Sequence, residues 1–340
     1  MTWIDRIEHS ILNSPPVNFL RNKSKKIVLP GFEKVPLYDV IIFFLSQVKK
    51  VGMTERAAAI AFNLLLAIPA ATIFLCTLIP YLPIISKQVT AELLLLTKDI
   101  TMNYTTYTAV KGFLEDFLLT QRSGLLSLGF VLAIYYASNA MICIMRSFNR
   151  SLLYKNKRSF IQERWAAIRL TTLIVLIVLA SMIMLVTEGV LLDKIQQWLR
   201  MKGDITGWLI TILRWVIIIP LFFYALAFTY KYAPAVHKRW RLSSPGAIFA
   251  TFLIVSSTFL FSFWVTHFAT YNKIYGSIGT LLVIMLLIYI NSLILLVGYE
   301  LNVSIHSLKA IAEEREKHEK EDEQKKLKEE KVLDISGKSD

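Results

Sequence analysis

Four polar side chains lie within long apolar stretches of this sequence, namely Asn63, Asn139, Asn291 and Arg214. A polar group in such surroundings needs a partner, because burying it without one is unfavourable. The asparagines could form hydrogen bonds between packed helices, each worth about 0.6 kcal/mol, and Arg214 could extend its long side chain to a polar boundary. Alternatively, the four could line a polar cavity that binds a polar or anionic group. We take them as candidate substrate-binding residues.

Charged residues at the ends of the apolar stretches form a second group of candidates. Arg56 precedes the first stretch, Arg146 closes the second and Glu300 closes the last. A charge at a partly dehydrated boundary is more favourable when it is paired than when it is alone. Because Arg146 and Glu300 fall at matching depth, we predict that they form an ion pair that acts as a gate or a structural link.

The sequence contains no pattern typical of an enzyme. Its five histidines and two cysteines, Cys76 and Cys143, lack metal-ligand spacing. It has no phosphate-binding glycine loop and no Gly-x-Ser-x-Gly motif. We therefore expect a protein that is not an enzyme and that has no cofactor and no metal site.

The composition indicates that these residues are positioned by a membrane protein. Hydrophobic residue types make up 55% of the 340 residues, which is more than a water-exposed surface usually allows. The formal charge of +13 would suggest a nucleic-acid partner in a soluble protein. Here the basic residues are concentrated in short segments between apolar stretches, as membrane topology predicts. We expect membrane lipids as partners and no nucleic acid.

The apolar stretches predict an all-α membrane helix bundle with about six transmembrane helices, since a bilayer core needs about 20 apolar residues in a helix. The predicted spans are residues 57–79, 124–145, 166–187, 207–230, 245–268 and 278–299. They form a transmembrane domain, 57–302, between an N-terminal segment, 1–56, and a charged tail, 303–340. Residues 35–50 and 1–13 are too short to span, and we expect them to be interfacial helices.

The charges between the spans predict the orientation. The segments before the first span, after the second and after the fourth are rich in lysine and arginine, whereas the alternate segments balance both signs. Because positive residues favour the cytoplasmic side, both termini are predicted to be cytoplasmic. An odd number of spans would break this alternation.

Three stretches resemble the YihY/BrkB family of bacterial inner-membrane proteins. They are RAAAIAFNLLLAIPA (56–70), SNAMICIMRSFNRSLLY (138–154) and YGSIGTLLVIMLLIYINSLILLVGYELN (275–302). Small residues at the start of a span permit a sharp turn or close helix packing. We add the following residues of these stretches to the structural or gating candidates: Asn149, Tyr275, Gly276, Gly279 and Asn302.

The resemblance implies a multi-pass protein of the bacterial inner membrane. The family includes proteins proposed to act as transporters, some of them linked to envelope lipid traffic, while its older ribonuclease BN label is regarded as a misassignment. We therefore predict a transporter or flippase-like protein for a lipid or an anionic envelope substrate. The alternative is a scaffold that does not transport and that binds envelope proteins through its tail and first outer loop. A membrane nuclease is a remote third possibility for lack of a metal cluster, and the sequence leaves the oligomeric state open.

Overall fold

The described part of the chain is mainly helical. The computed structural model describes residues 31–33, 35–50, 52–81, 108, 111–112, 120–152, 158–199, 204–236, 240–267 and 270–336. Along 49–50, 182–199, 204–214, 265–267, 270–281 and 322–336 this description is of the helix backbone. The helices are α1 Leu37–Lys50, α2 Met53–Leu78, α3 Ser123–Arg150, α4 Phe160–Leu199, α5 Asp204–Tyr232, α6 Pro245–His267 and α7 Thr270–Ser336.

Six of these helices, α2 to α7, are long and apolar enough to cross a membrane. No strand occurs among the residues listed above. The predicted all-α bundle with about six spans is therefore confirmed. Large apolar side chains such as Phe62, Leu260 and Phe263 point outwards, as expected for a surface that is solvated by lipid.

Local sequence signals begin two of the spanning helices. Ser159 and Gln162 form a capping box at the start of α4, in which Ser159 Oγ accepts from the Gln162 N–H at 3.4 Å and Gln162 Oε1 accepts from the Ser159 N–H at 3.1 Å. Pro245 opens α6, where its missing N–H is of no consequence. Ser244 lies just before it and accepts from the Ala247 N–H. These caps fix where each helix begins and so which side chains reach the bundle interior.

The bundle core lies at the end that holds Arg56, Arg146, Arg164 and Glu300, which we call the charged end. There α7 packs against α2, α3 and α6, and α3 packs against α2 and α4. An aromatic cluster of Phe148, Tyr230, Trp240 and Tyr299 fills the centre. The Phe148 and Tyr299 rings stack with centroids 3.8 Å apart and planes 3° apart, and Tyr230 and Trp240 flank Tyr299.

Helix α1 packs on α7 beyond the predicted boundary of the transmembrane domain. Helix α7 continues without a break past residue 302, and Ile305 is buried against Phe32, Val35 and Val40. On its other side α1 exposes apolar residues that include Ile42, as an interfacial helix does. The second expected interfacial helix, 1–13, lies outside the described residues.

Ionic contacts of Glu33 link the segment before α1 to α7. Lys309 Nζ lies 2.6 Å from its Oε2, and His306 Nδ1 lies 3.8 Å from its Oε1. Partial burial by itself would raise the pKa of Glu33, but the hydrogen bond from Lys309 and the charges of His306, Lys309 and Arg241 outweigh it. The pKa of Glu33 is therefore below its ordinary value.

Candidate binding cavity

A cavity of about 450 Å³ opens at the charged end between α2, α3 and the start of α4. Two of the asparagines singled out by the sequence, Asn63 of α2 and Asn139 of α3, line it. Four arginines line it as well, namely Arg56, Arg146, Arg150 and Arg164. Glu55 is the carboxylate of this lining. The cavity therefore offers guanidinium and amide donors that suit an anionic group.

Arg164 is held among neutral partners. Its Nη1 donates to Asn139 Oδ1 at 2.7 Å and to Ser138 Oγ at 3.0 Å. Its guanidinium carbon also lies 5.2 Å from the centroid of the Tyr135 ring. The capping box at Ser159 begins α4 one turn earlier and so positions Arg164 against α3. Because these partners carry no charge, the positive charge of Arg164 is not neutralised.

Arg146 lies at the exposed edge of the cavity, where Glu163 holds it. Its Nε lies 3.1 Å from Glu163 Oε1 and its Nη2 lies 2.9 Å from Oε2, which is a bidentate pair. The Arg146 side chain is 59% exposed. The predicted pairing of Arg146 with Glu300 is therefore wrong. Arg146 faces outwards at the charged end, and its neighbour Met145 is the buried residue.

Glu300 pairs instead with Arg56, beneath the cavity. Arg56 Nη1 donates to Glu300 Oε1 at 3.1 Å, and both side chains are buried. Arg56 Nη2 donates to the Ser147 carbonyl, and the Ser151 hydroxyl donates to the same Glu300 oxygen. The pair joins α2 to α7 and fixes the end of α3 between them.

Arg150 is the last residue of α3, and it is exposed at the cavity. Among the described residues it has no hydrogen-bond or ion-pair partner. Arg56 and Arg146 are thus paired with carboxylates, whereas Arg150 and Arg164 form no ion pair with a carboxylate of the described residues. Beside them lie Phe160 and Trp165, which are 71% and 61% exposed. Unneutralised positive charge next to outward-facing apolar side chains suits an anion that carries an apolar part.

Two other candidates hold the charged end of the bundle together. Asn149 Oδ1 accepts from the Ala235 N–H at 2.9 Å, which binds the segment after α5 to α3. Asn302 Oδ1 accepts from the Gly246 N–H at 2.8 Å, and its amide donates to Ser244 Oγ at 3.0 Å. Both asparagines therefore have structural contacts outside the cavity.

Among the remaining candidates, Asn291 forms a contact elsewhere in the bundle. Asn291 accepts from Ser257 Oγ at 3.1 Å between α6 and α7, which matches the interhelical hydrogen bond left open by the sequence. The side chains of Arg214 and Tyr275 lie outside the described part of the structure, and so do the surroundings of Gly276 and Gly279. Of the predicted cavity residues whose side chains the structure describes, Asn63 and Asn139 line the cavity and Asn291 does not.

The sequence matches the family described as Virulence factor BrkB over residues 44–324, most of the chain. The chain belongs to the BrkB family. This confirms the resemblance found in the sequence, and the whole cavity lies within the region that matches the BrkB description.

Curated relatives of this BrkB-family chain carry general names. The chain is 30% identical to the Putative ribonuclease-like protein YfkH of Bacillus subtilis (strain 168) over 266 residues, which is 78% of this chain and 94% of the relative. It is 34% identical over 91 residues to the UPF0761 membrane protein IL2447 of Idiomarina loihiensis, covering 27% and 32% of the two chains. It is 25% identical over 150 residues to a UPF0761 membrane protein of Tolumonas auensis, covering 42% and 47%. No solved structure matches the chain.

The described residues of this BrkB-family chain contain no group of three or more histidine, cysteine, aspartate or glutamate side chains that could hold a metal ion. Guanidinium groups at fixed positions, such as those that line the cavity, suit the recognition of an anion by charge and by paired hydrogen bonds.

Sequence reasoning missed several residues at this end of the BrkB bundle. It assigned Arg150 and Arg164 to a loop, where they were counted only as topological charge. It also missed the close contact of Gly246 with Gly298, where a Cβ on Gly246 would meet the Gly298 carbonyl oxygen at 2.0 Å. The capping box beginning at Ser159 was the available signal for Arg164.

Proposed function

We propose that the protein is a transporter or flippase-like protein of the bacterial inner membrane that moves a lipid or another anionic amphiphile of the cell envelope. The observation that supports this is the cavity, which Arg150 and Arg164 line together with Asn63 and Asn139 and in which these two arginines form no ion pair with a described carboxylate. A phosphate-bearing headgroup would satisfy these donors. No covalent chemistry and no cofactor are required.

The apolar surface next to the cavity supports an amphiphilic substrate. Phe160 lines the cavity and is 71% exposed, and Ile161 and Trp165 follow it on the outward side of α4. A lipid headgroup could thus lie among the arginines while its acyl chains remain in the bilayer. By the positive-inside rule the charged end faces the cytoplasm, so the cavity would take its substrate from the cytoplasmic side.

A transport assay in vesicles tests the proposal. The purified protein is reconstituted into phosphatidylcholine vesicles that carry a trace of fluorescent NBD-phosphatidylglycerol or NBD-phosphatidylcholine, and dithionite added outside quenches the outer leaflet. We expect the protein to accelerate exchange of the anionic lipid more than that of the choline lipid. No acceleration of either lipid relative to protein-free vesicles would contradict transport and favour a scaffold function.

Two arginines on the same helix provide a matched pair of variants. Arg164→Gln removes a charge-assisted hydrogen-bond donor from the cavity, which is worth about 1.5–3 kcal/mol and corresponds to exchange that is about tenfold slower or more. Arg169→Gln makes the same change at an exposed residue that lies outside the cavity lining and bonds to the Trp165 carbonyl. Its exchange rate should match that of the parent protein. Equal slowing by both variants would show that the cavity is not the site.

A further inference from the structure

The buried pair beneath the cavity is incompletely satisfied. Arg56 is 3% exposed and Glu300 is 0% exposed, yet Arg56 also lines the cavity. Glu300 Oε1 accepts from Arg56 and Ser151. By contrast, Glu300 Oε2 and Arg56 Nε are buried and have no hydrogen-bond partner in the described part of the chain, and the same is true of the Tyr299 hydroxyl.

Arg56 is therefore shared between two possible anions. One is Glu300, which it contacts at 3.1 Å, and the other is any anion that enters the cavity it lines. A guanidinium has five donors, and Arg56 uses Nη1 and Nη2 on one side while its Nε is unbonded. An anion in the cavity can thus compete with Glu300 for the same charge.

We propose that an anion entering the cavity draws Arg56 away from Glu300, and that Glu300 takes up a proton in exchange. Anion binding is then linked to the uptake of one proton. This inference rests on the proposed function, because it requires that the cavity binds an anion.

The energetics of a buried carboxylate support the exchange. Arg56 is the charged group in contact with Glu300, while α3 and the residue after it contribute only the neutral groups of Ser147 and Ser151. Removing one member of a buried pair leaves an uncompensated charge, which is strongly unfavourable. A carboxyl group in that position becomes neutral instead of remaining charged.

The other charged groups at this end do not share the buried setting of the Arg56–Glu300 pair. Around the cavity they are Glu55, Arg146, Arg150, Glu163 and Arg164. Among these, Glu163 is held by Arg146 at the edge of the cavity, where solvent supports its charge. On α7, Tyr299 adjoins Glu300, and two turns further on the first charged groups are His306 and Lys309, which contact Glu33. Glu300 is thus the carboxylate whose charge depends on Arg56.

The proton balance of the exchange is simple. Water at the charged end supplies a proton to Glu300 Oε2, the oxygen without a partner, and an O–H bond forms there. Arg56 keeps its own protons throughout. When the anion leaves, the proton returns to water and the ion pair re-forms.

Anion-binding calorimetry between pH 6 and pH 8 tests this linkage. The probes are dihexanoylphosphatidylglycerol and sulfate, neither of which changes its charge in this range. Uptake of one proton makes the affinity for the anion rise about tenfold for each unit by which the pH falls. Repeating the titration in two buffers with different ionisation enthalpies counts the protons directly, and we expect about one per anion.

Two carboxylate-to-amide variants identify the group. Glu300→Gln should bind the anion with little pH dependence, because its side chain is already neutral. Glu163→Gln, whatever its affinity, should retain the tenfold dependence per pH unit. If Glu300→Gln does not fold, the proton count on the parent protein still tests the linkage, since anion binding without proton uptake would overturn it.

The outcomes separate the inference from the proposed function. Anion binding by the parent protein that takes up no proton overturns the inference and leaves the proposed function intact, and so does an unchanged pH dependence in Glu300→Gln. Failure of both probes to bind at any pH overturns the proposed function. Proton-linked binding of the lipid alone identifies a lipid headgroup as the occupant, and proton-linked binding of both probes identifies a site for oxyanions in general.

Discussion

Substitution of Gly246 by alanine should separate two spanning helices at the charged end. Gly246 of α6 faces Gly298 of α7, and a Cβ at Gly246 would lie 2.0 Å from the Gly298 carbonyl oxygen and 2.6 Å from Asn302 Cγ. An ordinary carbon–oxygen contact is about 3.3–3.6 Å, so the deficit is roughly 1.3 Å. A backbone carbonyl within a helix cannot rotate away, and the helices must therefore move apart.

The magnitude follows from the contacts that this movement disturbs. Overpacking of this kind costs about 1–3 kcal/mol, and a clash with backbone falls at the upper end. The Gly246 N–H bond to Asn302 and the Tyr230 hydroxyl bond to the Leu295 carbonyl, both 2.8 Å long, would loosen, each worth about 0.5–1.5 kcal/mol. Alanine gains about 0.5–1 kcal/mol in helix preference. The expected net loss is about 2–4 kcal/mol.

Thermal unfolding in detergent measures this loss, and Gly124→Ala is the matched control. A Cβ at Gly124, near the start of α3, has no heavy atom within 4 Å. We expect a clearly lower unfolding temperature for Gly246→Ala and an unchanged or slightly higher one for Gly124→Ala. Equal unfolding temperatures for the two variants would refute the close approach of α6 and α7.

Three further predictions concern the ion pairs and the topology. Arg56→Ala and Glu300→Ala should each destabilise the protein by about 3–5 kcal/mol, and the double variant by less than their sum, as measured by detergent unfolding; strict additivity would exclude the pair. In intact cells, a cysteine at Thr120 should react with an impermeant maleimide and one at Ser159 should not; the reverse pattern would invert the topology. The pKa of Glu33 is lowered in the folded protein, so its contribution to stability is present above the pKa of a free glutamate, about 4.3, and is lost as the pH falls below it. In thermal unfolding scans below that pH, the stability of Glu33→Gln should therefore decline less than that of the parent protein, and an identical decline would contradict the contact.

The spans could be predicted because the bilayer imposes one simple requirement. A helix that crosses it needs about 20 apolar residues, whatever its neighbours are. Each predicted span accordingly falls on one of the helices α2 to α7. The depth of the charges was predictable for the same reason, and Arg56, Arg146 and Glu300 all lie at one end of the bundle.

The partners of these charges could not be predicted, because depth does not specify direction around a helix. Arg146 and Met145 are adjacent, yet the first is exposed and the second fully buried, since successive residues are rotated by about 100°. Arg56 faces inwards at the same end of the bundle and therefore forms the ion pair with Glu300. Direction depends on which helices are neighbours, and one sequence read by depth alone does not specify this.

The cavity illustrates the same limit and one missed opportunity. Asn63 and Asn139 share it because α2 packs on α3, whereas Asn291 lies between α6 and α7. Arg164 could have been assigned to a helix, because the capping box beginning at Ser159 is written in the sequence. Once α4 begins after Ser159, Arg164 lies on the first turns of that helix, next to Asn139 of α3.

Photo-cross-linking of a lipid headgroup tests most directly whether the cavity binds an anionic lipid. Phosphatidylglycerol with a diazirine on its glycerol is incorporated into nanodiscs with the protein, and the labelled peptides are mapped by mass spectrometry. We expect labels within residues 56–63, 139–150 and 160–164 that unlabelled phosphatidylglycerol removes and phosphatidylcholine does not. Labels confined to the outward-facing surface around Leu260 and Phe263, or labels that no anionic lipid removes, would contradict it.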